Sequence, residues 1–213
     1  VLTDPSYAGQ LVTLTYPLVG NYGINREDSE SRRIQVSGLI VREHCDQPSH
    51  TGADETLHGF LKSQDIPGIS GVDTRAITRR LRNRGVMSGI ITTESPDLAL
   101  ERLAETTGYD DVDFVSTVTT ESGYSWEEPA LEPGAPEHRL LVADCGLKYN
   151  ILRLLRQRGC QVTAVPATMP AEDMLAMKPD GILLSPGPGD PQLLDYLVSN
   201  VQKLVGRVPM MGI

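Results

Sequence analysis

Between positions 186 and 191 the sequence reads PGPGDP, three prolines and two glycines in six residues, directly after the apolar run GILL. Proline carries no amide hydrogen and fixes its own φ near about −65°, so within residues 186–189 only Gly187 and Gly189 can donate from the backbone. Glycine also lets the chain approach a ligand with no Cβ in the way. A stiffened loop with two selected N–H groups suits an oxyanion hole, which holds the charge that develops on a carbonyl oxygen during acyl transfer. The same residues are those of an ordinary tight turn. A phosphate loop is a third possibility, weakened by Gln192 where G-x-G-x-x-G needs its last glycine and by Asp190, which would repel an anion.

Other reactive side chains are sparse. Cys45, Cys145 and Cys160 are widely spaced with no C-x-x-C pair, which points to reduced thiols rather than a disulfide framework or a zinc site. Cys145, in VADCGLKYN, lies between a strand-like and a helix-like run where a thiol can be activated, but a buried cysteine more often serves as a small apolar residue, and that is its expected role. His44, His50, His58 and His138 lack metal-ligand spacing and read as surface residues. The acid pairs Asp110 and Asp111, and Glu127 and Glu128, read as solvated. Arg75, Arg79 and Arg82 recur at helical spacing, either a solvated stripe or a contact surface.

The elements that must position the glycine loop follow from periodicity. After residue 137 the pattern alternates: strand RLLVAD, helix YNILRLLRQRG with Ile151, Leu154 and Leu155 inward, strand CQVTAV, helix PAEDMLAMK, strand GILL, helix PQLLDYLVSNVQKLVG and strand RVPMMGI. Alternating strands and helices predict right-handed crossovers and a parallel sheet covered on both faces, with ligands at the carboxyl ends of its strands. Residues 1–117 mix strands (LVTLTYP, IQVSGLIVRE, SGIITTE) with two helices and read as α+β. One helix is capped by Asp73, stopped by Gly85 and buries Ala76, Ile77 and Leu81; the other is capped by Ser95 and buries Leu98, Leu100 and Leu103. Residues 118–137, acidic and with three prolines, read as a surface linker, leaving 138–213 as the second domain.

The 213 residues accommodate two modest domains, and 39% apolar content is that of a globular chain. A formal charge of −9 argues against nucleic acid or an anionic membrane as partner. With no signal-like or membrane-spanning segment, the expected location is the cytoplasm.

The run ILLSPGPGDP resembles the glycine-rich motif of class I glutamine amidotransferases. VLTDPSYAGQLVTLTYPLVGNYGIN, GISGVDTRAITRRLRNRG and DCGLKYNILRLLRQRGC are similar to the small, glutamine-hydrolysing subunits of carbamoyl-phosphate synthase. This resemblance implies a cysteine thiolate that attacks the glutamine side-chain amide, with a histidine as base and a glutamate orienting it. It implies ammonia delivery to a large subunit that uses ATP, magnesium and bicarbonate for arginine and pyrimidine synthesis, with no cofactor in this chain. It matches Gly187 to the glycine whose amide forms the oxyanion hole, Gly189 to a second glutamine-contacting position, and Ser6, in TDPSY, to a serine set against the glutamine. Without the resemblance Ser6 reads as a turn serine after Pro5. Pro186 stands where some relatives carry asparagine, which removes a donor there.

The chain begins at Val1 without an initiator methionine and stops in a strand-like run at Ile213, so both ends are expected to be cut. The family nucleophile is expected immediately after Ile213, its histidine and glutamate later still, and the chain alone is expected to be inactive. Two other readings stay open: a non-catalytic subunit docked on a synthetase, and a nucleotide-binding module argued from fold alone.

Overall fold

The computed structural model describes residues 1–131 and 138–213, which fall into two compact units. The first comprises Val1–Thr3 and Tyr7–Gly108, the second Asp4–Ser6 and Tyr109–Ile213.

The first unit contains β1 (Leu11–Thr13), β2 (Leu18–Val19), β3 (Gly38–Ile40), β4 (Glu43–His44), α1 (Leu57–Ser63), β5 (Gly68–Ile69), α2 (Thr74–Arg84) and α3 (Pro96–Ala104). A three-stranded parallel sheet runs β1-β3-β5, and β2 pairs in parallel with β4. Val12, Val36, Leu39 and Val41 pack on Leu57 and Leu61 of α1 to make its core. Asp73 accepts from Ala76 N at 3.0 Å and Gly85 ends α2 at φ 80°, as the sequence predicts. The predicted apolar stripes differ. In α2 only Thr74 is buried, while Ala76 is exposed and Ile77 and Leu81 are half-buried. In α3 only Ala99 is buried, and Leu98 and Leu100 are exposed. Residues 88–94, expected as a strand, form no ladder among the described residues; Gly89 runs beside the Leu11 side chain of the edge strand β1 without joining it.

The second unit contains α4 (Val115–Val118), β6 (Tyr124–Trp126), β7 (His138–Asp144), α5 (Tyr149–Gln157), β8 (Cys160–Pro166), α6 (Ala171–Ala176), β9 (Gly181–Leu184), α7 (Asp195–Leu204) and β10 (Met210–Gly212). Its sheet runs β10-β9-β7-β8-β6, and all pairings are parallel except β6 with β8. Alternate residues supply the two covered faces. Leu141, Ala143, Val165 and Ile182 meet Met174 and Leu204 on one, and Val142, Val162, Ala164 and Leu183 meet Leu152 on the other. Buried Asn200 ties α6 to α7, accepting from Ala171 N at 3.2 Å and donating to Met169 O at 3.0 Å.

Two features depart from expectation. Residues 124–126 lie in the stretch predicted as linker, yet β6 joins the sheet antiparallel to β8, and Arg156 donates to Glu127 O at 2.9 Å and Pro129 O at 3.2 Å just beyond it. The remainder of that predicted linker, residues 132–137, lies outside the described residues. In α5 the buried stripe centres on Leu152, with Ile151 and Leu155 flanking and Leu154 exposed. Four apolar residues within five positions permit two helix faces, and packing against β8 selects the one led by Leu152.

Candidate active site

The strand order places the glycine loop. From β7 the chain crosses through α5 to β8 on one side, whereas β9, the neighbour of β7 on its other side, continues through α7 outward to β10. Adjacent parallel strands whose connections leave in opposite directions open a crevice at their carboxyl ends, where open α/β sheets bind ligands. The two loops at this crevice are residues 144–148 after β7 and 185–191 after β9.

The first loop is organised by Asp144, 7% exposed. Its Oδ1 accepts from Gly146 N at 3.0 Å and Leu147 N at 2.8 Å, and its Oδ2 accepts from Thr120 N at 2.9 Å. One carboxylate thus satisfies two amides that the strand-to-helix turn would otherwise leave bare and a third from the segment after α4. The second loop begins at Ser185, 6% exposed, whose N–H continues the β7 ladder to Ala143 O at 3.1 Å. Its hydroxyl accepts from Cys145 N at 2.9 Å and donates to Pro186 O at 3.0 Å, so one side chain joins both loops.

The loops then cross with their backbones in contact. A Cβ on Gly187 would fall on the carbonyl oxygen of Cys145, and one on Gly146, at φ 135°, would lie 2.9 Å from Pro188 Cδ and 3.0 Å from Gly187 Cα. Gly189 sits at φ 81° against Val112 and Phe114, in a region that glycine occupies without cost. Asp190 ends the loop by accepting from Gln192 N at 2.8 Å. Among the described residues, neither the Gly187 nor the Gly189 N–H is taken up by an intramolecular hydrogen bond. The stretch is therefore braced by its neighbours while its two donors stay available.

Ser6 belongs to the same unit as this crevice. Asp4 pairs with Lys148 at 2.9 Å and accepts from Ser6 N at 3.0 Å, so the turn that carries Ser6 is tied to the end of the Asp144 loop. Burial alone would raise the Asp4 carboxyl, but the Lys148 ammonium and the Ser6 amide outweigh it and hold the group below its usual value. The structure thus places Ser6, Gly187 and Gly189 in one unit, with Ser6 anchored to one crevice loop and both glycines on the other.

Cys145 points elsewhere. It is buried with Val115, Ala167 and Leu194, and burial, then the neighbouring Asp144, push its thiol up to about 12, against a smaller opposing hydrogen bond from Ser185. It is a packing residue. Cys160 is buried and its thiol is raised chiefly by burial, and Cys45 donates to Gln47 O. His50, His58 and His138 are exposed, and His44 pairs with Asp46 at 3.1 Å. Arg75, Arg79 and Arg82 are exposed along α2. Among the described residues no cluster of three ligating side chains could hold a metal ion, and no helix is long and apolar enough to cross a membrane. Sequence reasoning did not assign roles to Asp144, Gly146 and Ser185. The signal for the first two was an aspartate closing a strand two residues before a glycine, the pattern of a side-chain-capped turn.

The second unit has the architecture and the motif of a class I glutamine amidotransferase domain, and residues 141–213 match the model of that family, glutamine amidotransferase class-I. Residues 1–91 match a second model, the CPSase domain of the carbamoyl-phosphate synthase small chain. The chain belongs to the carbamoyl-phosphate synthase small-chain family. It is 44% identical over 223 residues to the carbamoyl phosphate synthase small chain of Syntrophotalea carbinolica and 46% identical over 218 residues to that of Akkermansia muciniphila. It is 44% identical over 216 residues to the pyrimidine-specific small chain of Halalkalibacterium halodurans. All of this chain is covered in each comparison, and it spans 59% of the length of the first two relatives and 57% of the third.

Proposed function

We propose that this chain provides the glutamine-binding and oxyanion-stabilising part of a small subunit of glutamine-dependent carbamoyl-phosphate synthase. The observation that carries this reading is the crevice loop: two braced glycine amides, free of internal acceptors among the described residues, at the switch point of a class I amidotransferase-type sheet. In this function a thiolate attacks the γ-carboxamide carbon of L-glutamine and the carbonyl becomes an oxyanion held by the Gly187 N–H. The C–N bond then breaks, the nitrogen leaves as ammonia after taking a proton from histidine, and water cleaves the γ-glutamyl thioester to glutamate. Gly189 and Ser6 hold the amino acid. The thiolate is expected to follow Ile213. Met210–Gly212 runs parallel to β9 with Gly212 opposite Leu184, and Ile213 N donates to Leu184 O at 3.2 Å, so the chain there is level with the start of the glycine loop.

Ammonia passes to a large synthetase subunit, which consumes ATP with magnesium and bicarbonate to make carbamoyl phosphate in the cytoplasm, for arginine and pyrimidine synthesis. The glutaminase step itself uses no cofactor in this chain. The test is glutamate release from L-glutamine by the full-length protein, alone and with its large subunit, followed by ATP-dependent carbamoyl phosphate formation. Hydrolysis that disappears when the residue after Ile213 is replaced supports the reading. Absence of glutamine hydrolysis by the full-length complex refutes it.

A further inference from the structure

The geometry points to Ser185 as the positioning residue that sets the direction of the Gly187 amide. This rests on the oxyanion role proposed for that amide.

The Pro186 carbonyl and the Gly187 N–H belong to one planar peptide unit, and in a trans peptide these two groups point in opposite directions. Holding the carbonyl therefore aims the amide. Ser185 Oγ holds it, donating to Pro186 O at 3.0 Å. The hydroxyl cannot turn away freely, because its lone pair accepts from Cys145 N at 2.9 Å and the side chain is buried. With Pro186 O drawn onto Ser185, the Gly187 N–H faces away from the buried hydroxyl, and it meets no acceptor among the described residues.

The backbone dihedrals of this peptide are themselves permissive. Gly187 has no Cβ, and a glycine is the residue that most readily tolerates rotation of the peptide plane before it. The proline ring limits φ of Pro186 but leaves its ψ to move, and ψ of Pro186 together with φ of Gly187 is what a peptide flip changes. The Ser185 hydroxyl is thus a latch on a bond that neither neighbour fixes. Asp144 works one step behind it, since its bonds to Gly146 N and Leu147 N hold the loop from which Cys145 N reaches Ser185.

The flip has a kinetic signature. If the amide faces the substrate in only a fraction of molecules, turnover falls by that fraction while ground-state contacts made elsewhere persist. Ser185→Ala is expected to lower kcat for glutamine hydrolysis by the full-length protein about ten-fold with KM changed less than about two-fold, and Ser185→Thr, which keeps the hydroxyl, to recover most of the loss. A second measurement needs no catalysis. In the full-length protein labelled with ¹⁵N-glycine, Ser185→Ala is expected to split or broaden the Gly187 amide resonance and leave the exposed Gly206 unchanged. A Gly187 amide signal identical in parent and Ser185→Ala chains would overturn the latch whatever the protein's activity. So would equal kcat in the two enzymes, or a loss of kcat that Ser185→Thr does not relieve while both variants melt like the parent. If the parent hydrolyses no glutamine, it is the proposed function that fails, and the amide spectra still decide whether Ser185 aims Gly187.

Discussion

Alanine is the smallest perturbation of the glycine loop, and at Gly187 it is already too large. A Cβ there overlaps the Cys145 carbonyl oxygen and lies 3.0 Å from the carbonyl carbon and 3.2 Å from the Cys145 Cβ. The obstructing atoms are backbone, held by the Asp144 and Ser185 bonds on either side, so no rotamer change relieves the overlap. The glycine loop must move instead. Overpacking of this kind costs about 1–3 kcal/mol. For a unit of roughly 100 residues that is a fall in melting temperature of about 4 °C per kcal/mol, hence about 4–12 °C. The effect on chemistry is larger. A displaced oxyanion donor costs about 10²–10³ in kcat. Gly187→Ala is therefore expected to remain folded with a lowered melting temperature while glutamate release by the full-length protein falls at least about a hundred-fold. The assay is glutamine-dependent glutamate production beside a calorimetric scan of the same preparation. Parent-like melting together with turnover within about two-fold of the parent would refute both the steric account and the assignment of the amide.

Gly189→Ala meets only ordinary contacts, 3.4 Å to Val112 O and 3.5 Å to Phe114, so its cost comes from φ 81° alone, about 1–2 kcal/mol by thermal melt, with Gly189→Asn milder because asparagine tolerates that region. Asp144→Ala strips three buried or half-buried amides of their acceptor and is expected to cost about 2–4 kcal/mol, measured by urea unfolding, with faster exchange at Gly146 and Leu147. The Asp4 carboxyl is held below its unfolded value of 3.8, so the stability it contributes is complete above that value and is lost as pH falls through the lower folded one; Lys148→Met should flatten this acid limb of the melting curve, and an unchanged limb would count against the ion pair. At pH 8 a thiol with a value of about 12 is ionised in about one molecule in 10⁴, so a thiol reagent is expected to modify Cys45 long before Cys145, read by mass spectrometry.

The parallel sheet of the second unit was legible because strands fully buried on both faces leave continuous apolar runs, and GILL, CQVTAV and RLLVAD sit where β9, β8 and β7 do. The caps of α2 and α3 were legible too, since Asp73 and Ser95 act within three residues of themselves. The buried faces of those helices were not. Helical spacing names a stripe but not what covers it, and Leu98 and Leu100 remain exposed in their own unit. β6 was hidden because its pairing with β8 spans some forty residues. It is composed of three residues in a proline-rich context, and nothing local announces the bonds from Arg156 that secure the Glu127 and Pro129 carbonyls. Within the site, proline and glycine chemistry showed where donors could be presented. The brace at Ser185 joins it to Cys145, forty positions away, which a local pattern cannot reveal, whereas Asp144 bonds the amides two and three residues after it.

Gly146 and Gly187 meet where two loops pass within atomic contact, with Gly187 and Pro188 in the space a side chain on Gly146 would need and the Cys145 backbone in the space one on Gly187 would need. Neither position can drift alone, and enlarging one residue cannot be offset by shrinking its counterpart, because both are already at the minimum. Anyone wishing to widen this mouth for a bulkier amide must therefore re-route a whole crossing, by insertion or by exchanging both loops together, and single-codon libraries at either site will return only the parent.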